Sequence, residues 1–204
     1  MPGSVIVGGA RTPIGKLSGA LTSFTAMDLG GLAIKAALDR AGVDPGDVDY
    51  VFMGHVLQAG QGQITARQAA AKAGIPMSVP ATTVNKVCLS GLNAIYLADQ
   101  MIASGDAEVV VAGGMESMTV APYLLPAARA GLRLGDGVVV DSMMHDGLTC
   151  AFTGDSMGLT ALPSTRKTPR VVDTHTVLRE PTASAMTLSG TAARRNSIDD
   201  PGTN

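Results

Sequence analysis

Tryptophan is absent from these 204 residues, and phenylalanine and tyrosine occur three times each. So few rings leave little for bases to stack on, and a formal net charge of −2 supplies no field for a polyanion. Nucleic acid is therefore not an expected partner. The two cysteines, Cys88 and Cys150, are too few and too far apart for a disulfide scaffold. Free thiols suit a reducing compartment, and we expect a cytoplasmic protein. No apolar run approaches the ~20 residues of a membrane span, and no basic start leads into an apolar core. No membrane association is expected. No His, Cys, Asp and Glu stand at ligand spacing, so no metal is expected. Gly113-Gly114 is too short for a phosphate loop, and no Gly-x-Gly-x-x-Gly follows a strand.

What the chain does have is Ala, Val, Leu and Met in quantity, within a hydrophobic fraction of 46%. That is the composition of a globular protein with a buried core. The apolar run 4–9 predicts a strand, and Ala26 to Ala41 carries Leu29, Leu32, Ala33, Ala37 and Leu38 at helical spacing, with Gly42 as its stop. Tyr50 to Val56 reads as a strand, and the Ala-rich Thr65 to Gly74 as a helix. Thr82 to Val87 is a further strand and Cys88 to Ser104 a helix, with Leu89, Leu92, Ile95, Tyr96 and Ile102 on one broad face. Glu108 to Ala112 closes the alternation as an apolar strand. Strands alternating with helices predict a layered α/β fold with a largely parallel sheet. Residues 116–160 read as a loop-rich excursion with short helices. Residues 162–204 show no sustained period, and Val177-Leu178 and Ala183 to Leu188 suggest at most helical turns.

The chemistry concentrates in Val84-Asn85-Lys86-Val87-Cys88-Leu89-Ser90-Gly91-Leu92. A thiol at a strand–helix junction sits beside unpaired amides and the positive end of the helix dipole, which favour thiolate. Gly91 removes a side chain from the first turn, so a bulky thioester can approach the backbone. Cys150 has no positive charge near it in sequence and reads as apolar filler. His55 reads as a structural histidine at a strand end, and Glu116 as a carboxylate that fixes the turn after Gly113-Gly114. His145, His175, Arg129 and Arg133 read as solvent-exposed. Met115 and Met118 fill core space as readily as an acyl pocket.

Several blocks, standing in order, resemble the thiolases, and within them the acetyl-CoA acetyltransferases. They are Ala10-Arg11-Thr12-Pro13-Ile14-Gly15-Lys16, Met53-Gly54-His55-Val56-Leu57-Gln58-Ala59-Gly60 with Ala66-Arg67-Gln68-Ala69, Val84 to Gly91, Ala112-Gly113-Gly114-Met115-Glu116-Ser117-Met118, and Asp146-Gly147-Leu148-Thr149 with Met157-Gly158. The resemblance covers residues 4 to about 161. It implies a thiolase N-terminal α/β domain over 1–118 with a mixed sheet and helices on both faces, a partial CoA-binding loop domain over 119–161, and a divergent, poorly ordered tail over 162–204.

By the same resemblance Cys88 is the acyl-thioester nucleophile of a two-step transfer between acyl-CoA molecules, and Met157 lines the acyl pocket. Coenzyme A belongs to the substrate, and no cofactor or metal is implied. Family members are dimers or tetramers, with the strand before Cys88 and the Gln58-to-Gln68 region near the dimer contact. The family's Gly-His-Pro segment, Asn-Glu-Ala-Phe segment and second cysteine before a glycine run are missing from these 204 residues. Ser156 also stands where many short-chain members have histidine. The loss of likeness and of glycine after Ala161 suggests a frame change, a gene fragment or a truncated product. The acyltransferase reading therefore has an alternative, an inactive CoA-binding or subunit-pairing module that needs a C-terminal thiolase chain.

Overall fold

The structure is a computed structural model that describes residues 3–161 and 175–179. The chain folds as an α/β domain around a five-stranded mixed sheet. Strand β1 (Val5–Ala10) leads to helix α1 (Ala26–Ala41), then β2 (Tyr50–Gly54), α2 (Thr65–Lys72), β3 (Ala81–Val84), α3 (Ser90–Ser104) and β4 (Val109–Gly114). The sheet order is β1-β7-β4-β2-β3, where β7 is His175–Arg179. β2 runs parallel to both β3 and β4, and β7 runs antiparallel to β1 and β4.

Each helix forms where its sequence stops other options. Thr25 caps α1 in a capping box with Asp28, and Gly42 ends it in the left-handed region at φ 63°. α2 has no side-chain cap at its own N-cap residue, Ile64. Instead Thr83 of β3 accepts the Ala66 amide at 2.9 Å, so the helix start is tied to the neighbouring strand. The Asp49 carboxylate accepts the amides of Glu108 (2.7 Å) and Val109 (2.8 Å) and fixes where β4 begins.

β4 separates two cores. Val109 and Val111 face α1 and α2, packing with Ile34, Leu38, Val51 and Met53, whereas Val110 and Ala112 face α3 with Phe52 and Ile102. A strand buried on both sides reads as an unbroken apolar run, which is why 108–112 shows no alternation. Helices on both faces of a mixed sheet are the layers that the thiolase resemblance implies, and the antiparallel β7 is what departs from the largely parallel sheet expected from the alternation alone.

Three details differ from expectation. α3 starts at Ser90, two residues after Cys88, and β3 ends at Val84, so the segment between them is a tight turn. The face of α3 that meets the sheet is lined by Ala94, Ala98 and Ile102, while Leu89, Leu92 and Tyr96 are exposed. Small residues let the helix approach the sheet closely, and that closeness turns the larger side chains outward. Third, 175–179 is not a helical turn but an extended strand between β1 and β4. The slot between those two strands needs a hydrogen-bonding partner on both sides, and that demand overrides weak local preference. This strand lies inside the segment expected to be a poorly ordered tail. The expected turn at Ala183 to Leu188 lies outside the described residues.

Residues 119–161 carry a two-stranded ribbon, β5 (Tyr123–Leu124) with β6 (Val140–Asp141), a π-helical turn (Met143–Leu148) and the short helix α4 (Met157–Ala161). Arg129, Arg133 and His145 are exposed there, and Leu134 is 99% and Phe152 98% exposed. Among the described residues no helix is long and apolar enough to cross a membrane, and no group of three His, Cys, Asp or Glu is arranged to hold a metal ion.

Candidate active site

Cys88 lies on the elbow that joins β3 to α3, with its side chain exposed and its thiol free. The residue before it, Val87, has φ 48°. A β-branched residue in the left-handed region is strained, by roughly 1–3 kcal/mol. The elbow holds this strain through a dense set of hydrogen bonds. The Val87 amide donates to Asn85 Oδ1 (3.0 Å), and the Lys86 amide to Ser90 Oγ (2.8 Å). The Ser90 hydroxyl donates to the Val87 carbonyl at 2.6 Å. α3 has no side-chain cap at its N-cap residue, Leu89.

The elbow is seated on glycine. A Cβ at Gly54, the last residue of β2, would come within 2.6 Å of the Ser90 carbonyl carbon and 2.7 Å of the Gly91 nitrogen. No other residue type fits there without moving the helix. Gly91 itself faces Gly114 of β4, whose nitrogen lies 3.7 Å from where its Cβ would be. That is ordinary contact distance, so a methyl at Gly91 would fit against the sheet.

Cys88, Gly54, Gly91 and Gly114 all border one cavity of about 540 Å³. The remainder of its wall is largely apolar, with Leu21, Leu29, Leu57, Met115, Met118 and Leu148, and the exposed Arg11 and Lys16 lie at its rim. Both volume and lining suit a small-molecule site. Gly147 and Leu148 reach the wall from the π-helical turn, so the loop segment closes a side of the cavity.

His55 and Glu116, read from the sequence as a structural histidine and a turn-fixing carboxylate, line the same cavity. His55 is buried, with Nε2 3.1 Å from Glu116 Oε1 and Nδ1 2.9 Å from Thr65 Oγ1. Glu116 also accepts the amides of Val56 (2.9 Å) and Leu57 (3.3 Å). Both ring nitrogens of His55 are thus occupied, which is the arrangement of a structural histidine. The signal available in sequence was their position, each at the end of a buried strand beside glycine.

Met157 heads α4, is half-buried, and is not among the residues that line this cavity. An isolated bridge between Thr149 and Ser156 holds the start of α4 next to Leu148. Ser156 is exposed and accepts the Gly158 amide at 3.3 Å. Cys150 is free and half-buried. The Thr153 hydroxyl, with the amides of Thr153 and Phe152, hydrogen-bonds its sulfur and lowers the thiol below its ordinary range.

The model for the N-terminal domain of thiolase matches residues 4–172. The chain belongs to the thiolase family. Among curated thiolases, the probable acetyl-CoA acetyltransferase of Mycobacterium leprae is 58% identical over 158 residues, covering 78% of this chain and 40% of that protein. The acetyl-CoA acetyltransferase of Cupriavidus necator is 55% identical over 157 residues, covering 77% of this chain and 40% of its own. That of Escherichia coli is 55% identical over 162 residues, covering 79% and 41%. The chain thus spans about two fifths of the length of these thiolases. The family match runs to residue 172, past Ala161, where the likeness was expected to stop.

Proposed function

We propose that this chain carries the acyl-accepting part of a thiolase reaction, acyl-CoA plus acetyl-CoA to 3-ketoacyl-CoA plus CoA or the reverse thiolysis. The observation that carries the reading is the exposed thiol of Cys88, held on a strained elbow at the mouth of an apolar cavity. The names of the similar proteins, acetyl-CoA acetyltransferases, favour this reading over a non-catalytic module.

In the first step the Cys88 sulfur attacks the thioester carbonyl of acyl-CoA. A carbon–sulfur bond forms to Cys88, the bond to the CoA sulfur breaks, and CoA leaves as the thiol with the proton that Cys88 gave up. In the second step the α-carbanion of acetyl-CoA attacks the acyl-cysteine carbonyl, and Cys88 departs and is reprotonated. The start of α3, two residues after Cys88, brings the positive end of its helix dipole towards the thiol, which favours negative charge developing at the attacked carbonyl. The acid/base group for the α-carbon does not come from His55, whose nitrogens are engaged. We assign that role to the part of a thiolase outside the span of this chain, whether on the same polypeptide or on a C-terminal thiolase chain. Coenzyme A enters as part of the substrate, with no separate cofactor, and the acyl groups are short. Met157 is assigned to the acyl pocket on the thiolase likeness alone, since it does not line the cavity at Cys88. The apolar Leu89, Leu92 and Tyr96, exposed beside the elbow, support assembly as a homo-oligomer.

Incubation with acetyl-CoA followed by intact-mass measurement tests the first step. One acetyl adduct per chain, absent from Cys88→Ala and retained in Cys150→Ala, is the expected result. An adduct that persists in Cys88→Ala overturns the assignment. An unmodified wild-type chain that acquires the adduct only with a second polypeptide identifies the pairing module instead.

A further inference from the structure

The hydrogen bonds around Cys88 do not stop at the elbow. Asn85 accepts the Val87 amide through Oδ1 and, through Nδ2, donates to the Val56 carbonyl at 3.3 Å. The amide of the same residue, Val56, donates to Glu116 Oε2 at 2.9 Å. Glu116 Oε1 meets His55 Nε2 at 3.1 Å, His55 Nδ1 meets Thr65 Oγ1 at 2.9 Å, and Thr65 meets Thr83 Oγ1 at 3.2 Å. Thr83 belongs to β3, the strand that leads into the elbow, and the His55 amide donates to the carbonyl of Val84 beside it at 2.9 Å. The bonds form a closed ring that leaves β3 through Asn85 and returns to it through Thr83.

Donors and acceptors match around this ring in one direction. With His55 donating from Nε2 to the Glu116 carboxylate, Nδ1 accepts from the Thr65 hydroxyl, which accepts from the Thr83 hydroxyl, which accepts the Ala66 amide. The carboxylate then takes three donors, one from His55 and one each from the amides of Val56 and Leu57. Charge-assisted bonds to an ionised acceptor are the stronger kind, so Glu116 is the anchor of the ring. Its most distant product is the left-handed backbone at Val87, which a β-branched residue does not adopt without being held.

We propose that Glu116, His55 and Asn85 are positioning residues that act together, through the Val56 peptide, to hold the strained elbow and so aim the Cys88 thiol into the cavity. None of the three reacts. Glu116 fixes the peptide, the peptide fixes Asn85, and Asn85 fixes Val87. The inference rests on Cys88 being the acyl acceptor, although the ring itself is independent of the acyl chemistry.

Residue-resolved amide hydrogen exchange on the full chain tests it. In Glu116→Gln, exchange accelerates about tenfold at Val56 and Leu57 and also at Val87, which Glu116 does not touch, while amides in α1 keep their protection. A purely local role would leave Val87 unmoved, and that result overturns the proposal. Asn85 is exposed, so Asn85→Ala tests the same link without a buried change. Both variants are expected to alkylate at Cys88 with iodoacetamide about tenfold more slowly than the wild type. The double variant is expected to be no slower than Asn85→Ala alone, because the two act through one chain of bonds. Additive losses, or unchanged alkylation in folded Asn85→Ala, refute the proposal. A wild-type chain that alkylates at Cys88 but accepts no acetyl group removes the acyl reading while leaving the exchange and alkylation results to decide the ring.

Discussion

At the scale of single residues, two positions set the geometry of the elbow by opposite means. Gly54 succeeds because it has no side chain. Gly54→Ala drives a methyl into the backbone of Ser90 and Gly91, and we expect a loss of about 1–3 kcal/mol in denaturant unfolding, together with altered Cys88 alkylation. Val87 succeeds in spite of its side chain. Val87→Gly relieves the left-handed strain but adds chain entropy in the unfolded state, so a net gain of about 0.5 kcal/mol is expected by the same measurement. A loss of stability would show that φ 48° is not strained here. The cysteine itself was legible in the sequence because its neighbours form a specific block. The ring behind it was not, since His55, Thr65, Thr83, Asn85 and Glu116 are scattered along the chain and each has an ordinary role nearby.

At the scale of elements, periodicity made α1, α2, β2 and β4 readable, because each has a long apolar pattern and a stop signal. The α1 cap adds a pH dependence. Lys72, whose Nζ lies 2.6 Å from the Asp28 carboxylate, and the Thr25 hydroxyl and amide hold the Asp28 pKa at about 2. A carboxyl lowered on folding contributes stability that is present above the unfolded value, near ~4, and is lost as pH falls through that value towards 2. Asp28→Asn should therefore be less stable than the wild type by about 1 kcal/mol at pH 7, and the gap should narrow as pH falls from about 4 and close only below the folded value of about 2. A gap independent of pH would show that the carboxylate contributes nothing.

β7 was not legible, because its only strong reason to be extended is the pair of strands on either side. Val177→Pro removes a ladder donor between two neighbours, and a destabilisation of at least ~1–3 kcal/mol is expected. Unchanged unfolding would place 175–179 outside the sheet. α3 was read correctly as a helix but with its faces in the wrong weight. Helical spacing grouped Leu92 and Tyr96 with Ile95 and Ile102 on one broad apolar face, whereas the sheet takes Ala94, Ala98 and Ile102.

At the scale of the whole molecule, large apolar side chains are exposed on the outer face of α3, where Leu89, Leu92 and Tyr96 stand together, as well as at Ile14, Leu134 and Phe152. Exposed apolar area of this kind drives association. Replacing Leu92 and Tyr96 by Lys is expected to leave unfolding within about 0.5 kcal/mol of wild type, as for other surface changes, and to raise the concentration at which light scattering reports larger species. No change in scattering would place the association elsewhere.

The sheet order also has a consequence in time. β1 is synthesised before the other four strands of its sheet, yet among the described residues its partner in that sheet is β7, more than 160 residues later in the chain. On a ribosome, β2, β3 and β4 can pair, and the cysteine elbow can be set between them, while β1 still waits at the edge with no strand to join. Closing the sheet is then the late event, a long-range pairing of the slow kind. The exposed thiol of Cys88 is therefore in place on a nascent chain whose fold is still open.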